Sequence, residues 1–430
     1  AYEISCSLVG SEMCIRDSAY PCFCTEEELD KVRAKQEEDK VLTGYYGEYA
    51  TCRNLSYEEI EANIKAGKPY VLRLRSQGSP DKEITFVDAI KGEIKLPENI
   101  HDIVLLKKDG IPTYHFAHAI DDHLMRTTTV VRGGEWLASA PIHYELFHLL
   151  GFKMPAYAHT AHLMKFDEET GGKRKLSKRK DPELSLDYYR KDGYHPYTMK
   201  VYLLTLLNSN FEEWHEKFPD KDINEFPFSV EKMNQSGALF DKDKLHNICK
   251  NELSKLSEEE LYDFLYDWAK ENEPENVEKW FGDREKMLQI LRLYMGVGAK
   301  RRRKDLMYAK QIFELISYFF DGESAEEMDE FKLDEDMVSK ILKSYLAKYD
   351  HNDDNSVWFN KLKEIADEHG FASDMKAYKA NPENFKGNVS DIAEAVRIAV
   401  TGRANTPDLW TIVHIMGEEQ MTERIKKHIK

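Results

Sequence analysis

Lys175-Leu176-Ser177-Lys178-Arg179 sets two ammonium groups three residues apart in a short polar stretch. A loop of that kind can lay both charges on a triphosphate. There they stabilise the charge that builds on a leaving pyrophosphate more than they stabilise the ground state. The plainer reading of the same residues is a basic surface loop. Two blocks precede it: Pro112 to Met125 reads PTYHFAHAIDDHLM, and Val131 to Leu137 reads VRGGEWL. Asp121 and Asp122 raise a metal or an acid/base pair, but at a helix end they read as solvated or capping carboxylates and are assigned no chemistry. Cys22-x-Cys24 and Cys52 raise zinc, which takes four nitrogen or sulfur ligands. Buried thiols are the default reading of the three cysteines.

The elements that must position these residues are legible in outline. Thr25-x-x-Glu28, Ser56-x-x-Glu59, Ser257-x-x-Glu260 and Ser324-x-x-Glu327 have the spacing of capping boxes, in which hydroxyl and carboxylate satisfy backbone N–H groups at a helix start. Residues 71–74, 84–87, 94–96 and 104–106 suit short strands, with turns at Gly92 and Asp109-Gly110. Residues 19–113 therefore read as a small α+β unit. A helix over 114–124, a buried β-branched strand over 128–131 and a helix over 136–150 closed by Gly151 follow. Such alternation implies a parallel sheet, here half of a doubly wound fold. Beyond about residue 185 the pattern is nearly all helical. Leu261, Phe264, Leu265 and Trp268 fall at i, i+3, i+4 and i+7, and Ser390 to Thr401 fits a helix stopped by Gly402.

The totals limit the classes available. The 430 residues suit two to four domains. No apolar run approaches the roughly 20 residues of a membrane span, and six cysteines make no disulfide scaffold, so a reducing cytoplasm is expected. The net charge of -17 argues against nucleic acid when taken alone. Clustering reverses that argument: Lys173 to Lys180 carries six basic residues in eight, and Lys300 to Lys304 five in a row. The first residue is Ala. Residues 1–18 have neither a signal-peptide layout nor clear periodicity, and SLVGSEMCIRDS resembles translated library-adapter read-through. They are expected to be a non-native leader that packs against nothing.

The order and spacing of the three blocks resemble glutamyl-tRNA synthetases, a class I family. The resemblance covers about residues 19–430, including AYPCFCTEEEL near the start and VRIAVTGRANTPDLWTIVHIMG near the end. It implies ATP-dependent activation of L-glutamate and its transfer to the 3′ end of tRNA(Glu), with Mg2+ accompanying ATP, in a cytoplasmic monomer. It also implies a division of the chain: a partial Rossmann-type catalytic domain with an α+β insertion (19–113, acceptor-arm binding, and 114–165), a loop and stem-contact region (166–258), and an all-α anticodon-binding domain (259–430).

The resemblance carries roles as well. Lys175, Ser177 and Lys178 match the ATP loop, the two lysines serving catalysis, and Met164 matches the position whose backbone reads adenine. Tyr114, His118 and Arg132 match glutamate contacts. A bidentate guanidinium suits a carboxylate and disfavours a neutral amide. Glu135 and Trp136 match the pocket and the acceptor end, and Arg303 an anticodon-reading arginine. Against these stand a core aromatic at Tyr114, a structural ion pair at Arg132 and a packing role for Trp136. The sequence departs from the pattern in three places. His118 stands where many relatives have Asn. Asn54 stands where zinc-binding relatives have His, which leaves Tyr45 or Tyr46 to complete a set with Cys22, Cys24 and Cys52. The HIGH-type segment is not among these residues, so the chain alone is expected to be inactive. The rival readings are a glutaminyl-tRNA synthetase, a tRNA-modifying glutamyl-queuosine relative, and a non-catalytic tRNA-binding fragment. Charging of tRNA(Gln) is a further option.

Overall fold

The computed structural model describes residues 17–167, 169–320 and 328–430. They form two compact units. One holds the chain up to Leu176 together with Leu204–Phe240, and the other holds Ser177–Leu203 together with Asp241–Lys430. The region expected over 166–258 is thus shared between the two: its segment 204–240 folds with the first.

The first unit contains β1 (Ala19–Cys22), α1 (Glu26–Glu38), α2 (Tyr57–Lys65), β2 (Val71–Leu74), β3 (Glu83–Asp88), β4 (Gly92–Pro97) and β5 (Val104–Leu106). Next come α3 (Tyr114–Leu124), β6 (Thr129–Gly133), α4 (Ala140–Leu150), β7 (Ala156–Thr160), β8 (Leu163–Phe166), β9 (Lys173–Lys175) and, after the excursion into the second unit, β10 (Ala238–Leu239). Thr25 and Ser56 cap α1 and α2 through the expected reciprocal boxes with Glu28 and Glu59. The box at Ser324 and Glu327 lies outside the described residues.

Three sheets result, with orders β1-β2-β5, β4-β3-β7-β6 and β10-β8-β9. The second corrects the reading of residues 19–113 as a self-contained unit. Strand β3 pairs antiparallel with β4 but parallel with β7, at Asp88 opposite Tyr157. Ile84, Phe86 and Asp88 alternate inward along β3, so a strand from before α3 extends the sheet that carries the later blocks. The strand expected to be buried, β6, is instead partly open, with Val131 56% exposed. It has only β7 beside it among the described residues, and β-branching favours any strand, edge or centre. The helix expected from Trp136 begins as a 3-10 turn (Gly134–Ser139) and becomes α-helical at Ala140, just before Pro141, whose missing N–H is harmless in a first turn. Gly151 ends it at φ 67°, a left-handed conformation that suits glycine.

Leu72, Leu74, Leu105, Phe116, Ile120, Leu146 and Phe147 form one core between the β1-β2-β5 sheet and helices α3 and α4. Phe86, Ala140 and Tyr157 form a smaller one under the second sheet. Of the expected leader, Asp17 and Ser18 are described, and both join the fold. The Asp17 carboxylate lies 3.2 Å from Arg75 Nε, and the buried Ser18 carbonyl accepts the Arg75 N–H at 2.9 Å.

The second unit is helical. The helix Glu258–Asn272, capped by Ser257 and Glu260, buries Leu261, Leu265 and Trp268. The helix Val389–Thr401 buries Ile392, Val396, Ala399 and Val400 in the same core and stops at Gly402, φ 73°. Among the described residues no helix is long and apolar enough to cross a membrane.

Candidate functional site

Parallel pairing of β6 with β7 sets Arg132 opposite His159. That register governs the chemistry around Arg132. Its Nε–H donates to His159 Nε2 at 2.9 Å, one Nη1–H to His143 Nδ1 at 3.1 Å, and one Nη2–H to the Trp136 carbonyl at 3.3 Å. The guanidinium carbon lies 4.7 Å above the buried Tyr157 ring. Arginine can only donate, so both imidazole nitrogens facing it must be bare acceptors. His159 therefore carries its proton on Nδ1 and donates it to Asp88 Oδ2 at 2.6 Å. His143 carries its proton on Nε2 and donates it to His115 Nδ1 at 2.9 Å.

Electrostatics agrees that these imidazoles are neutral. His143, His159 and Asp88 are almost fully buried. Burial pushes the pKa of His143 down to about 2, helped by His118 and Arg132, and lowers those of His115 and His159. Burial alone would raise Asp88, but hydrogen bonds from His159 and from the Lys91, Ile90 and His159 amides outweigh it and hold the carboxyl below its usual range. Three of arginine's five N–H groups are thus engaged. Among the described residues the other two, one on each terminal nitrogen, meet no acceptor, and no carboxylate forms an ion pair with Arg132.

Tyr114, half exposed, packs against Trp136 with ring centroids 4.6 Å apart and stacks on His118 at 5.9 Å. His118 bridges the Tyr157 hydroxyl (2.7 Å) and the Asp122 carboxylate (2.9 Å). Burial lowers its pKa and Asp122 partly offsets this. Asp122, read as a solvated or capping carboxylate, is mostly buried one helical turn further along the same face of α3, at ion-pair distance from His118 Nδ1 but not hydrogen-bonded to it. Glu135 lies 3.4 Å from His162 Nδ1 and 3.9 Å from Lys175 Nζ. Its carboxylate occupies the space that a Cβ on Gly133 would fill, at 2.2 Å.

Tyr114, His118, Arg132, Glu135, Trp136 and Lys175 are therefore brought together in the first unit. Met164 faces Lys175 across β8 and β9, its side chain is half-buried, and its carbonyl accepts the Phe240 N–H at 2.7 Å. Ser177 and Lys178 belong to the second unit. There the buried Asp181 carboxylate accepts the Ser177 N–H at 2.7 Å, and Lys178 and Arg179 are exposed. Arg303, also in the second unit, is paired to Asp305 at 2.6 Å, while Arg301 and Arg302 are exposed.

The sulfurs of Cys22, Cys24 and Cys52 lie within 4.8 Å of one another. The Tyr45 hydroxyl lies 3.4 Å from Cys22 Sγ and 3.3 Å from Cys24 Sγ. Hydrogen bonds from Cys24 and Cys52 hold the Cys22 thiol far below its ordinary pKa.

The sequence reading missed Asp88, His115, His143, Tyr157 and His159. One signal was present: seven of the 15 histidines fall between 115 and 162.

The family of class I tRNA synthetases (E and Q), catalytic domain, matches residues 7–247, and an anticodon binding domain matches residues 260–429. The chain is 53% identical to a glutamate–tRNA ligase of Acetivibrio thermocellus, over 95% of this chain and 74% of that protein. It is 46% identical to one of Clostridium perfringens, over 96% and 75%. Among solved structures it resembles a glutamate tRNA ligase of Elizabethkingia meningosepticum (TM-score 0.74, 24% identity) and a glutamate–tRNA synthetase of Elizabethkingia anophelis (TM-score 0.73, 25% identity). Each match covers 99% of this chain and 83% of the other.

The neutral cluster has a measurable consequence. The folded protein keeps His143 unprotonated down to about pH 2, whereas the unfolded chain protonates it near 6.5. Below pH 6.5 the unfolded state binds more protons, so stability falls as pH falls, by at most about 1.4 kcal/mol per pH unit from this one group. Thermal unfolding between pH 7.5 and 4.5 should therefore show a slope that His143→Asn flattens. An unchanged slope in the variant would contradict the assignment.

Proposed function

The chain belongs to the glutamate–tRNA ligase family of class I tRNA synthetases, and from that premise we propose how its residues serve the ATP-dependent attachment of L-glutamate to tRNA(Glu). The observation that carries the reading is Arg132: a guanidinium fixed by neutral groups, with an N–H left on each terminal nitrogen. That arrangement suits the side-chain carboxylate of glutamate, since a carboxylate accepts from both nitrogens while an amide brings its own N–H donors against them. Tyr114 and His118 flank this point, and Trp136 with Glu135 closes the wall.

In activation, an oxygen of the glutamate α-carboxylate attacks the α-phosphorus of ATP and pyrophosphate leaves. A ribose hydroxyl at the tRNA 3′ end then attacks the acyl carbon and AMP leaves. Both steps need alignment and charge neutralisation more than covalent help from the protein. Lys175, Ser177 and Lys178 are assigned to the ATP phosphates, with the two lysines offsetting charge on the departing pyrophosphate. Met164 is assigned to the adenine by its backbone. Mg2+ accompanies ATP and supplies further neutralisation. The setting is cytoplasmic and the protein monomeric.

The second unit, whose matching family is named for anticodon binding, is assigned to the anticodon arm, with Arg301, Arg302 and Arg303 as its cations. The test is filter retention of tRNA(Glu), tRNA(Gln) and an unrelated tRNA at 50 and 200 mM salt. Selective binding of tRNA(Glu) that weakens at the higher salt is expected. The double variant R301E/R302E should lower affinity at least tenfold. Equal, weak binding of all three tRNAs would contradict the reading, and equal binding of tRNA(Glu) and tRNA(Gln) would extend the substrate to both.

The convergence of Cys22, Cys24, Cys52 and Tyr45 suits a zinc site as well as it suits three thiols bonded to one another and to the Tyr45 hydroxyl. Three sulfurs and a phenol oxygen make a closed four-ligand set of the structural kind, although phenolate is a less common ligand than His. Such a metal would tie β1 to the turn after Tyr45 and take no part in the reaction. About one zinc per chain by atomic emission, lost in Cys24→Ser, is the expected outcome. A metal-free chain with an unaltered melting temperature after chelator treatment would return the cluster to buried thiols.

A further inference from the structure

A half-buried arginine is ordinarily held by a carboxylate, bidentate where geometry allows. Such a partner would neutralise Arg132 and occupy the edge that a substrate carboxylate needs. Here the acceptors are His159 Nε2, His143 Nδ1 and the Trp136 carbonyl, none of them charged. The negative charge sits one imidazole further away, on Asp88. That carboxylate is saturated by four donors: the backbone N–H (3.0 Å) and Nδ1–H (2.6 Å) of His159 on Oδ2, and the backbone N–H groups of Ile90 and Lys91, each at 2.9 Å, on Oδ1. With so many bonds on a buried group, Asp88 has little freedom to move. His159, bonded to it at both Nδ1 and its own backbone, has correspondingly little.

On the other side, α4 presents His143, whose second nitrogen is used by His115 of α3. The Tyr157 ring closes the face beneath. Arg132 is thus fixed along its Nε edge, at one hydrogen of each terminal nitrogen and over one π face. The two remaining N–H groups belong to different terminal nitrogens, as a fork onto a carboxylate requires.

We propose that Asp88, His159 and His143 are positioning residues for glutamate selection: they orient Arg132 through neutral acceptors so that its whole charge is offered to the ligand. This rests on the reading of Arg132 as the glutamate-binding residue. It adds that β3, before the three sequence blocks, supplies the anchor, and that discrimination against glutamine depends on the tautomers of two histidines. In Asp88→Asn the amide can donate to His159 Nδ1. That drives the histidine proton to Nε2, where it meets the Arg132 N–H head-on, and the guanidinium must leave its place. Removing a group in this outer position typically costs 10- to 100-fold in related settings.

The experiment uses the 430-residue chain and two readouts. Nitrogen-15 spectra of the imidazoles report tautomers without any ligand, and calorimetric titration with L-glutamate and L-glutamine reports affinity. The expected spectra show His159 protonated at Nδ1 and His143 at Nε2, with Asp88→Asn moving the His159 proton to Nε2. Asp88→Asn and His143→Leu should each weaken glutamate at least tenfold and shrink the preference over glutamine. His143→Asn, whose side-chain oxygen can take the place of Nδ1, should recover most of the loss. Arg132→Ala should abolish glutamate binding while His159 keeps its Nδ1 proton. Unchanged glutamate affinity in Arg132→Ala would remove the premise about Arg132 itself. Loss in Arg132→Ala, with wild-type affinity in Asp88→Asn and His143→Leu, would overturn the positioning inference alone. An Nε2-protonated His159 in the unaltered chain would overturn it whatever the titrations show.

Discussion

The hydrogen bond from Arg132 to His159 is the contact on which the rest of the first unit's site depends. It exists because β6 and β7 pair in parallel with Arg132 opposite His159. Strand β7 is in turn set against β3 by the pairing of Asp88 with Tyr157. A slip of one residue in either pairing would turn the functional side chains to the opposite face of the sheet. Register is held by what lies beneath: Phe86 and Tyr157 pack at 5.5 Å over Ala140 at the start of α4. The same helix carries His143, so packing and polar positioning are specified by one set of elements.

Burying a guanidinium's partners without neutralising it is costly, and the site limits the cost by leaving Arg132 partly open while sinking only the imidazoles. A buried charge unmatched by a counter-charge is tolerated where a ligand supplies the match. The chain of Asp88, His159, Arg132, His143 and His115 has one consistent direction for every proton. A network of that kind is rigid when complete and strongly perturbed when one member is changed. His118 lies beside this network, hydrogen-bonded to the Tyr157 hydroxyl and at ion-pair distance from Asp122. Where relatives are expected to place Asn, this chain uses an imidazole.

Much of this was legible in the sequence, for identifiable reasons. Capping boxes at Thr25, Ser56 and Ser257 formed as expected, because their chemistry is local and complete within four residues. Helix α3 and strands β2 to β5 followed from periodicity and turn residues. Tyr114, Arg132 and Trp136 were marked by their blocks and do meet. The supporting groups were not legible. Asp88 is 71 residues from His159, and no local rule connects a carboxylate at the end of one hairpin strand to a histidine on a later strand. His143 lies on the buried face of α4 among Ala140, Pro141, Leu146 and Phe147, where a histidine normally reads as a satisfied core residue. The exposure of β6 was also hidden, since β-branched composition does not distinguish an edge from a centre. The joining of residues 204–240 to the first unit depends on the β10–β8 pairing and on Met233 packing with Ile90 and Ala158, contacts too short to carry a pattern.

The central claim is that Arg132 offers an un-neutralised two-pronged donor that distinguishes a carboxylate from an amide. The most direct measurement is nitrogen-15 spectroscopy of the Arg132 guanidinium at pH 7 as L-glutamate or L-glutamine is added. Glutamate is predicted to shift the Arg132 terminal nitrogens and slow their proton exchange with water, while equal glutamine leaves both unchanged. Matching responses to the two amino acids, or none from Arg132 while glutamate binds elsewhere, would contradict the account.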